Sequence, residues 1–203
     1  DGVHRGHRAL LKQLVDGAKE RGLVSCVMTF EPHPKEFFSP EQAPPRILNL
    51  RDKLAAFADI GIDRVVVEHF NTAFARLTPE EFVSEIIVKQ LNAKWILIGD
   101  DFCYGAKRAG NFASLKAAGE KFGFEVSSIH TVQEDGERIS SSALRNALAN
   151  GKMDQATKLL GRPYGISGHV IHGQKLGRTL GFPTLNLAVA NHLHHRKPAC
   201  SGI

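Results

Sequence analysis

Apolar positions recur along this chain with two distinct periods. Between Arg8 and about Arg21, the residues Leu10, Leu11, Leu14, Val15 and Ala18 share one helical face, and Gly22 suits a C-cap. From Leu23 to Phe30 the texture is that of a strand, and Glu31-Pro32-His33-Pro34 ends it. Pro40, Pro44 and Pro45 mark a loop, followed by a helix over Leu50–Ile60 that stops at Gly61. Val65-Val66-Val67, within Arg64–Glu68, and Trp95-Ile96-Leu97-Ile98 read as buried parallel strands. Thr78-Pro79-Glu80-Glu81 is a capping box with proline at the first helical position, opening a helix to about Leu91. A helix near Phe112–Phe122, a strand near Glu125–Ile129 and a serine-capped helix over Ser140–Ala149 complete the series.

Strand and helix therefore alternate at the spacing of βα units, which predicts an α/β fold with a parallel sheet flanked by helices. Ligands on such sheets sit beyond the carboxyl ends of the strands, where Glu31–Pro34 and Gly99–Gly110 fall. After a short helical bridge over Asn150–Gly161 the rhythm changes. From Pro163 the chain is glycine-rich and β-like, so a boundary is expected near residue 162, dividing residues 1–161 from a β-type region over 162–203. The chain opens on Asp1 and closes on Ser201-Gly202-Ile203 as an apolar run begins, and it reads as a fragment cut at both ends. A strand is expected before the first helix and lies outside the sequence.

Composition narrows the function classes. Hydrophobic residues make up 42% and charged residues 23% of the 203, enough for a core. No run has the length of a transmembrane helix, and no signal peptide is visible. Cys26, Cys103 and Cys200 are scattered and odd in number, which fits a reducing cytoplasm better than a disulfide framework. The net charge of +5 is dispersed and does not cluster with aromatics. It suits anionic small molecules and argues against nucleic-acid or membrane partners.

The chemistry is concentrated in four places. His4-Arg5-Gly6-His7 stands at a helix start, where unpaired N–H groups and the helix dipole favour anions. Gly6 lets a phosphate approach the backbone, and the spacing sets His4 and His7 about one turn apart. A metal pair is the competing reading, with His33 as the nearby third ligand. Ser140-Ser141-Ser142-Ala143-Leu144-Arg145 combines a helix N-cap with hydroxyls and a guanidinium that suit phosphate. The loop after the second buried strand reads either as a strand exit followed by a flexible loop or as a segment whose backbone and Asp101 contact the base or ring of a ligand. Finally, Gly177-Arg178 to Asn186 reads as either a glycine-rich turn or a second nucleotide site, with Thr184 and Asn186 as oxygen ligands for Mg²⁺. His192, His194 and His195 read as an exposed polar loop.

Taken in order, these motifs resemble the bifunctional bacterial riboflavin kinase/FAD synthetase family. Asp1 to His7, Phe30 to Pro34, Gly99 to Gly105 and Ile139 to Arg145 are similar to its adenylyltransferase module. Gly173 to Asn186 is similar to the opening of its riboflavin kinase module. Ser142 stands where the family usually has threonine, and Leu185 where it usually has alanine. The resemblance implies a Rossmann-like nucleotidylyltransferase domain followed by the beginning of a β-barrel. It implies FMN and ATP giving FAD and pyrophosphate with Mg²⁺, and riboflavin phosphorylation in the parent protein. It assigns His4, His7, Ser141, Ser142 and Arg145 to catalysis, and Gly2, His4, Gly6, His7, Ser141 and Arg145 to ATP. Phe30, Pro32, His33, Asp101 and Phe102 go to the flavin. Gly173, Gly177, Arg178, Gly181, Thr184 and Asn186 go to ATP and Mg²⁺ of the kinase module. No base for the riboflavin hydroxyl is visible before Ile203, so this chain alone is expected to lack kinase activity. The alternatives are a nucleotidylyltransferase for pantetheine phosphate or a nicotinamide nucleotide, or an inactive nucleotide- or flavin-binding fragment.

Overall fold

The computed structural model describes residues 2–99, 101–129, 133–134, 137–174, 176–182 and 184–188. Asp1, Asp100, Pro183, the His192–His195 loop and the run at Ser201–Ile203 lie outside the described residues. The chain divides into two compact units.

One unit comprises Arg8–Pro44 and Ile60–Arg138. Helix α1 (Arg5–Glu20) buries Leu11, Val15 and Ala18. It begins three residues before the predicted start at Arg8, because the first turn is set by polar and glycine residues. Strand β1 (Cys26–Glu31) pairs in parallel with β2 (Arg64–His69), Cys26 opposite Arg64 and Glu31 opposite His69. At the start of this pair Asp63 Oδ2 accepts the Ser25 N–H at 2.9 Å and its hydroxyl at 2.7 Å. Strand β3 (Trp95–Gly99) pairs in parallel with β4 (Glu125–Ile129). The predicted parallel strands are thus present, as two separate pairs among the described residues. They are less buried than expected: Val67 is 40% exposed, and in β3 only Ile98 is fully buried.

Two short α-helices of this unit were not foreseen. Pro34, read as a strand stop, is the first residue of α2 (Pro34–Phe38), and α4 spans Thr72–Ala75. Each is made by a side-chain cap that overrides weak periodicity: His33 accepts from the Lys35 N–H, and Asn71 from the Phe74 N–H. The Thr78 capping box starts α5 (Pro79–Glu81) as predicted, but the helix then widens to a π-helix over Phe82–Gln90. This segment supplies Phe82, Val83, Ile86 and Ile87 to a core shared with Ile98, Tyr104, Phe124 and Leu115 of α6 (Phe112–Phe122). A short antiparallel pair, β5 (Gln133–Glu134) and β6 (Glu137–Arg138), closes this unit's part of the chain.

The other unit comprises Asp1–His7, Pro45–Asp59 and Ile139–Ile203. It holds α3 (Leu50–Ile60), α7 (Ser141–Ala149) and α8 (Met153–Leu160), with α7 packed on α8. Leu144, Ala156 and Leu160 are at most 1% exposed. The β-like region forms an antiparallel hairpin of β7 (His169–Ile171) and β8 (Asn186–Ala188), with a one-turn helix α9 (Leu176–Thr179) between them. Among the described residues no helix is long and apolar enough to cross a membrane.

Candidate functional site

The Gly2–His7 turn is built by close packing and an unusual backbone. Gly2 has φ +79°, which disfavours a side chain, and a Cβ there would stand tight against Ile47, 3.0 Å from its Cδ1. Val3 follows with φ +44°, a left-handed conformation costly for a β-branched residue, and is 3% exposed. His4 stands just outside α1, and its Nδ1 accepts the His7 backbone N–H at 3.3 Å. The three-residue spacing is therefore that of an N-cap to the third helical position, an imidazole doing what serine usually does. Because Nδ1 accepts, the His4 proton resides on Nε2, which is left as a donor.

The two imidazoles stack at 3.8 Å between centroids, 16° from parallel. Burial lowers the His4 pKa to about 4. Burial, with the charges of His4 and Lys53, lowers that of His7 to about 3. Both rings are consequently neutral at pH 7 and meet a ligand as N–H donors. Unfolding restores the ordinary value of 6.5, so above that pH the pair adds no pH dependence. As pH falls through 6.5 toward 4, the unfolded chain takes up protons that the fold refuses, and stability drops. The expected loss is about 2 kcal/mol for His4 between pH 7 and pH 5. Urea unfolding at those two pH values checks it, and His4→Gln should remove that share. Equal pH slopes for the two proteins would show the assignment to be wrong.

The serine–arginine segment meets this turn. A Cβ on Gly6 would lie 3.3 Å from His4 Nδ1 and 3.7 Å from the Ile139 carbonyl, the residue leading into α7. Ser140 caps α7, its Oγ accepting the Ala143 N–H at 3.2 Å. Ser141 is partly exposed and Ser142 exposed in the first turn. Arg145 is half-buried, and its Nε donates to the Pro45 carbonyl at 2.9 Å, so one of its donors is committed to the fold. Two helix starts thus adjoin.

Three basic residues in this unit escaped the sequence reading. Arg46 and Lys53 are each 7% exposed, and the charge of Lys53 is felt by His7. Arg162 donates from Nη1 to the Val3 carbonyl at 3.1 Å and from Nη2 to the Gly2 carbonyl at 3.3 Å. Nothing local marks these residues, because a buried lysine on an amphipathic helix has the same sequence signature as an exposed one.

In the Arg8–Pro44 and Ile60–Arg138 unit, the residues expected at the flavin have structural duties too. Phe30 packs edge-on against Phe70 at 5.6 Å and Phe74 at 5.4 Å. Pro32 follows a cis peptide bond. His33 caps α2, while Glu36 accepts the His33 N–H at 3.1 Å. Asp101 is exposed, and Phe102 stacks on Tyr104 at 5.7 Å. In the hairpin region, Gly173 lies against Asn186 and Gly177 against Thr184. A Cβ on Gly173 would stand 2.5 Å from Asn186 Nδ2, and one on Gly177 3.1 Å from Thr184 Cγ2. Arg178 lies on α9 and Gly181 has φ +81°. Among the described residues no cluster of three or more His, Cys, Asp or Glu side chains is arranged to hold a metal.

Comparison with known proteins places these features in context. A sequence profile of FAD synthetase matches residues 1–143, and one of riboflavin kinase matches residues 160–202. The bifunctional riboflavin kinase/FMN adenylyltransferase of Escherichia coli (strain K12) is 49% identical over 92% of this chain and 60% of its own length. That of Haemophilus influenzae is 44% identical over 100% of this chain and 65% of its own. The chain thus spans less than two thirds of the length of these curated relatives. A crystal structure from Streptococcus pneumoniae, described as a macrolide-efflux protein, superposes with a TM-score of 0.76. It is 32% identical, with 95% of this chain and 62% of that chain covered.

Proposed function

The chain belongs to the FAD synthetase family, and from that premise we propose that it transfers the adenylyl group of ATP to FMN. An FMN phosphate oxygen forms a bond to the α-phosphorus of ATP, the bond from that phosphorus to the bridging β-oxygen breaks, and pyrophosphate leaves. FMN phosphate is an anion at neutral pH and needs no covalent relay, so the protein's task is alignment and charge stabilisation. The observation that carries the reading is the junction of two helix starts at Gly6 and Ile139, with neutral His4 and His7 at one of them. In this reading His4 Nε2–H and His7 donate to the triphosphate. Ser141, Ser142 and Arg145 hold its other end, with Gly2 and Gly6 admitting it to the backbone. Phe30, Pro32, His33, Asp101 and Phe102 contact the flavin.

The finer architecture is part of the same proposal. Residues 1–161 form a Rossmann-like nucleotidylyltransferase domain, and residues 162–203 begin a riboflavin kinase β-barrel. In the parent protein Gly173, Gly177, Arg178, Gly181, Thr184 and Asn186 take ATP for riboflavin phosphorylation. Thr184 and Asn186 offer neutral oxygens of the kind Mg²⁺ accepts beside substrate phosphates, and the ion would neutralise phosphate charge there. The cytoplasm is the expected compartment, with small nucleotides and flavins as partners.

Incubating the purified chain with FMN and ATP tests the function. Equimolar FAD and pyrophosphate are expected, with no product from pantetheine phosphate or nicotinamide mononucleotide. Adenylylation of either of those in place of FMN would overturn the assignment.

A further inference from the structure

The Gly2–Val3 turn stores strain that its own residues do not relieve. A left-handed valine is disfavoured and persists only where surroundings over-determine it. Ile47 fills the space beside Gly2, but packing alone leaves the two carbonyls of the turn to be satisfied. Both are met by one guanidinium, that of Arg162, at 3.1 and 3.3 Å. A planar fork suits two acceptors on successive residues, and an ammonium has no such geometry.

Arg162 is itself held in place. Two residues on, the Tyr164 hydroxyl donates to the Ile47 carbonyl at 3.2 Å. The Ser167 N–H donates to Asp52 Oδ2 at 3.0 Å, and Asn49 Nδ2 donates to the Ser167 carbonyl at 3.0 Å. Residues 162–167 are therefore tied to the start of α3, the same stretch whose Ile47 packs on Gly2. They follow the part of the chain that matches FAD synthetase and fall within the riboflavin kinase match.

We propose that Arg162 is a positioning residue for adenylyl transfer: it fixes the carbonyls of Gly2 and Val3, and through that turn the imidazole of His4. The segment that leads into the kinase-like region thereby completes the nucleotide turn. This rests on the adenylyltransferase reading above. Misplacing a donor by about 1 Å can cost two orders of magnitude in rate, whereas ground-state contacts elsewhere keep substrate bound.

The test compares Arg162→Met and Arg162→Lys with the unmodified chain. For Arg162→Met, kcat for FAD formation should fall about tenfold, with KM for ATP and FMN within about twofold. Arg162→Lys, which can serve one carbonyl, should recover part of that loss. In ligand-free protein, the imidazole ¹⁵N signals of His4 and His7 should move in Arg162→Met and return toward their original positions in Arg162→Lys. A folded Arg162→Met protein with unchanged kcat and unchanged imidazole signals would overturn the proposal. So would equal losses in both variants that follow thermal midpoint alone. If the unmodified chain makes no FAD, the functional reading fails by itself, and the imidazole signals alone decide whether Arg162 positions the turn.

Discussion

His7→Ala is expected to slow FAD formation about a hundredfold or more while changing ATP affinity by less than about threefold. The reasoning starts from charge. With its pKa lowered to about 3 by burial and neighbouring charges, His7 carries no positive charge at pH 7. It gives ATP little long-range attraction, and its loss should barely change ground-state binding. A fixed N–H donor at a helix start is worth most when negative charge grows on the phosphates during the reaction, since that charge is absent from bound substrate. Single-turnover rates and equilibrium ATP binding, measured on the same protein, separate the two effects. Loss of binding with a preserved single-turnover rate would assign His7 to ground-state recognition. The pH profile adds a second check. In the ligand-free protein neither His4 nor His7 changes charge between pH 6 and 9, so an acidic limb near pH 6.5 in kcat/KM is expected from another group.

The largest stability effect outside the site is expected at Gly17. Alanine in a helix interior normally gains about 1 kcal/mol over glycine. Here the added Cβ would stand 2.5 Å from Trp95 Cη2 and 2.9 Å from its Cζ3. The ring has little freedom to retreat. Its Nε1 donates to Ser127 Oγ at 2.9 Å, the Arg21 guanidinium lies 4.3 Å from its centroid, and Arg21 is paired with Glu125. Overpacking against a fixed ring outweighs the propensity gain, and Gly17→Ala should lose about 2 kcal/mol net. That corresponds to a fall of roughly 4–8 °C in thermal midpoint. Combining it with Trp95→Leu should cost less than the sum of the two single changes. A stabilised Gly17→Ala protein would mean that the helix and the ring part more readily than these contacts indicate.

Local signals were most legible where one residue decides one conformation. Thr78-Pro79 with Glu81 begins a helix because the cap bonds are all within four residues, and the Thr78 N–H indeed reaches Glu81 Oε2 at 2.8 Å. Leu50–Ile60 ends before Gly61 for the same reason, glycine accepting the φ of +91° found there. Legibility failed where two local signals competed. Glu31-Pro32-His33-Pro34 carries strand-breaking prolines, yet proline at the first helical position is also a helix start once His33 caps it. The π-widening after Glu81 had no periodic signature distinguishable from an α-helix.

Among the candidate site residues, the sequence by itself determined the caps of the two helix starts, because His4 and Ser140 each accept a backbone N–H three positions on. The three-dimensional fold decided the chemical state and the surroundings of these residues. It made the histidines neutral through burial. It brought Gly6 beside Ile139, 133 positions away by numbering (139 minus 6). It buried Lys53 near His7 and seated Arg162 on the carbonyls of Gly2 and Val3. Capping and turn preferences are properties of a few adjacent residues and can be read along a chain. Desolvation and long-range hydrogen bonds depend on which distant segments arrive together, and only folding sets that.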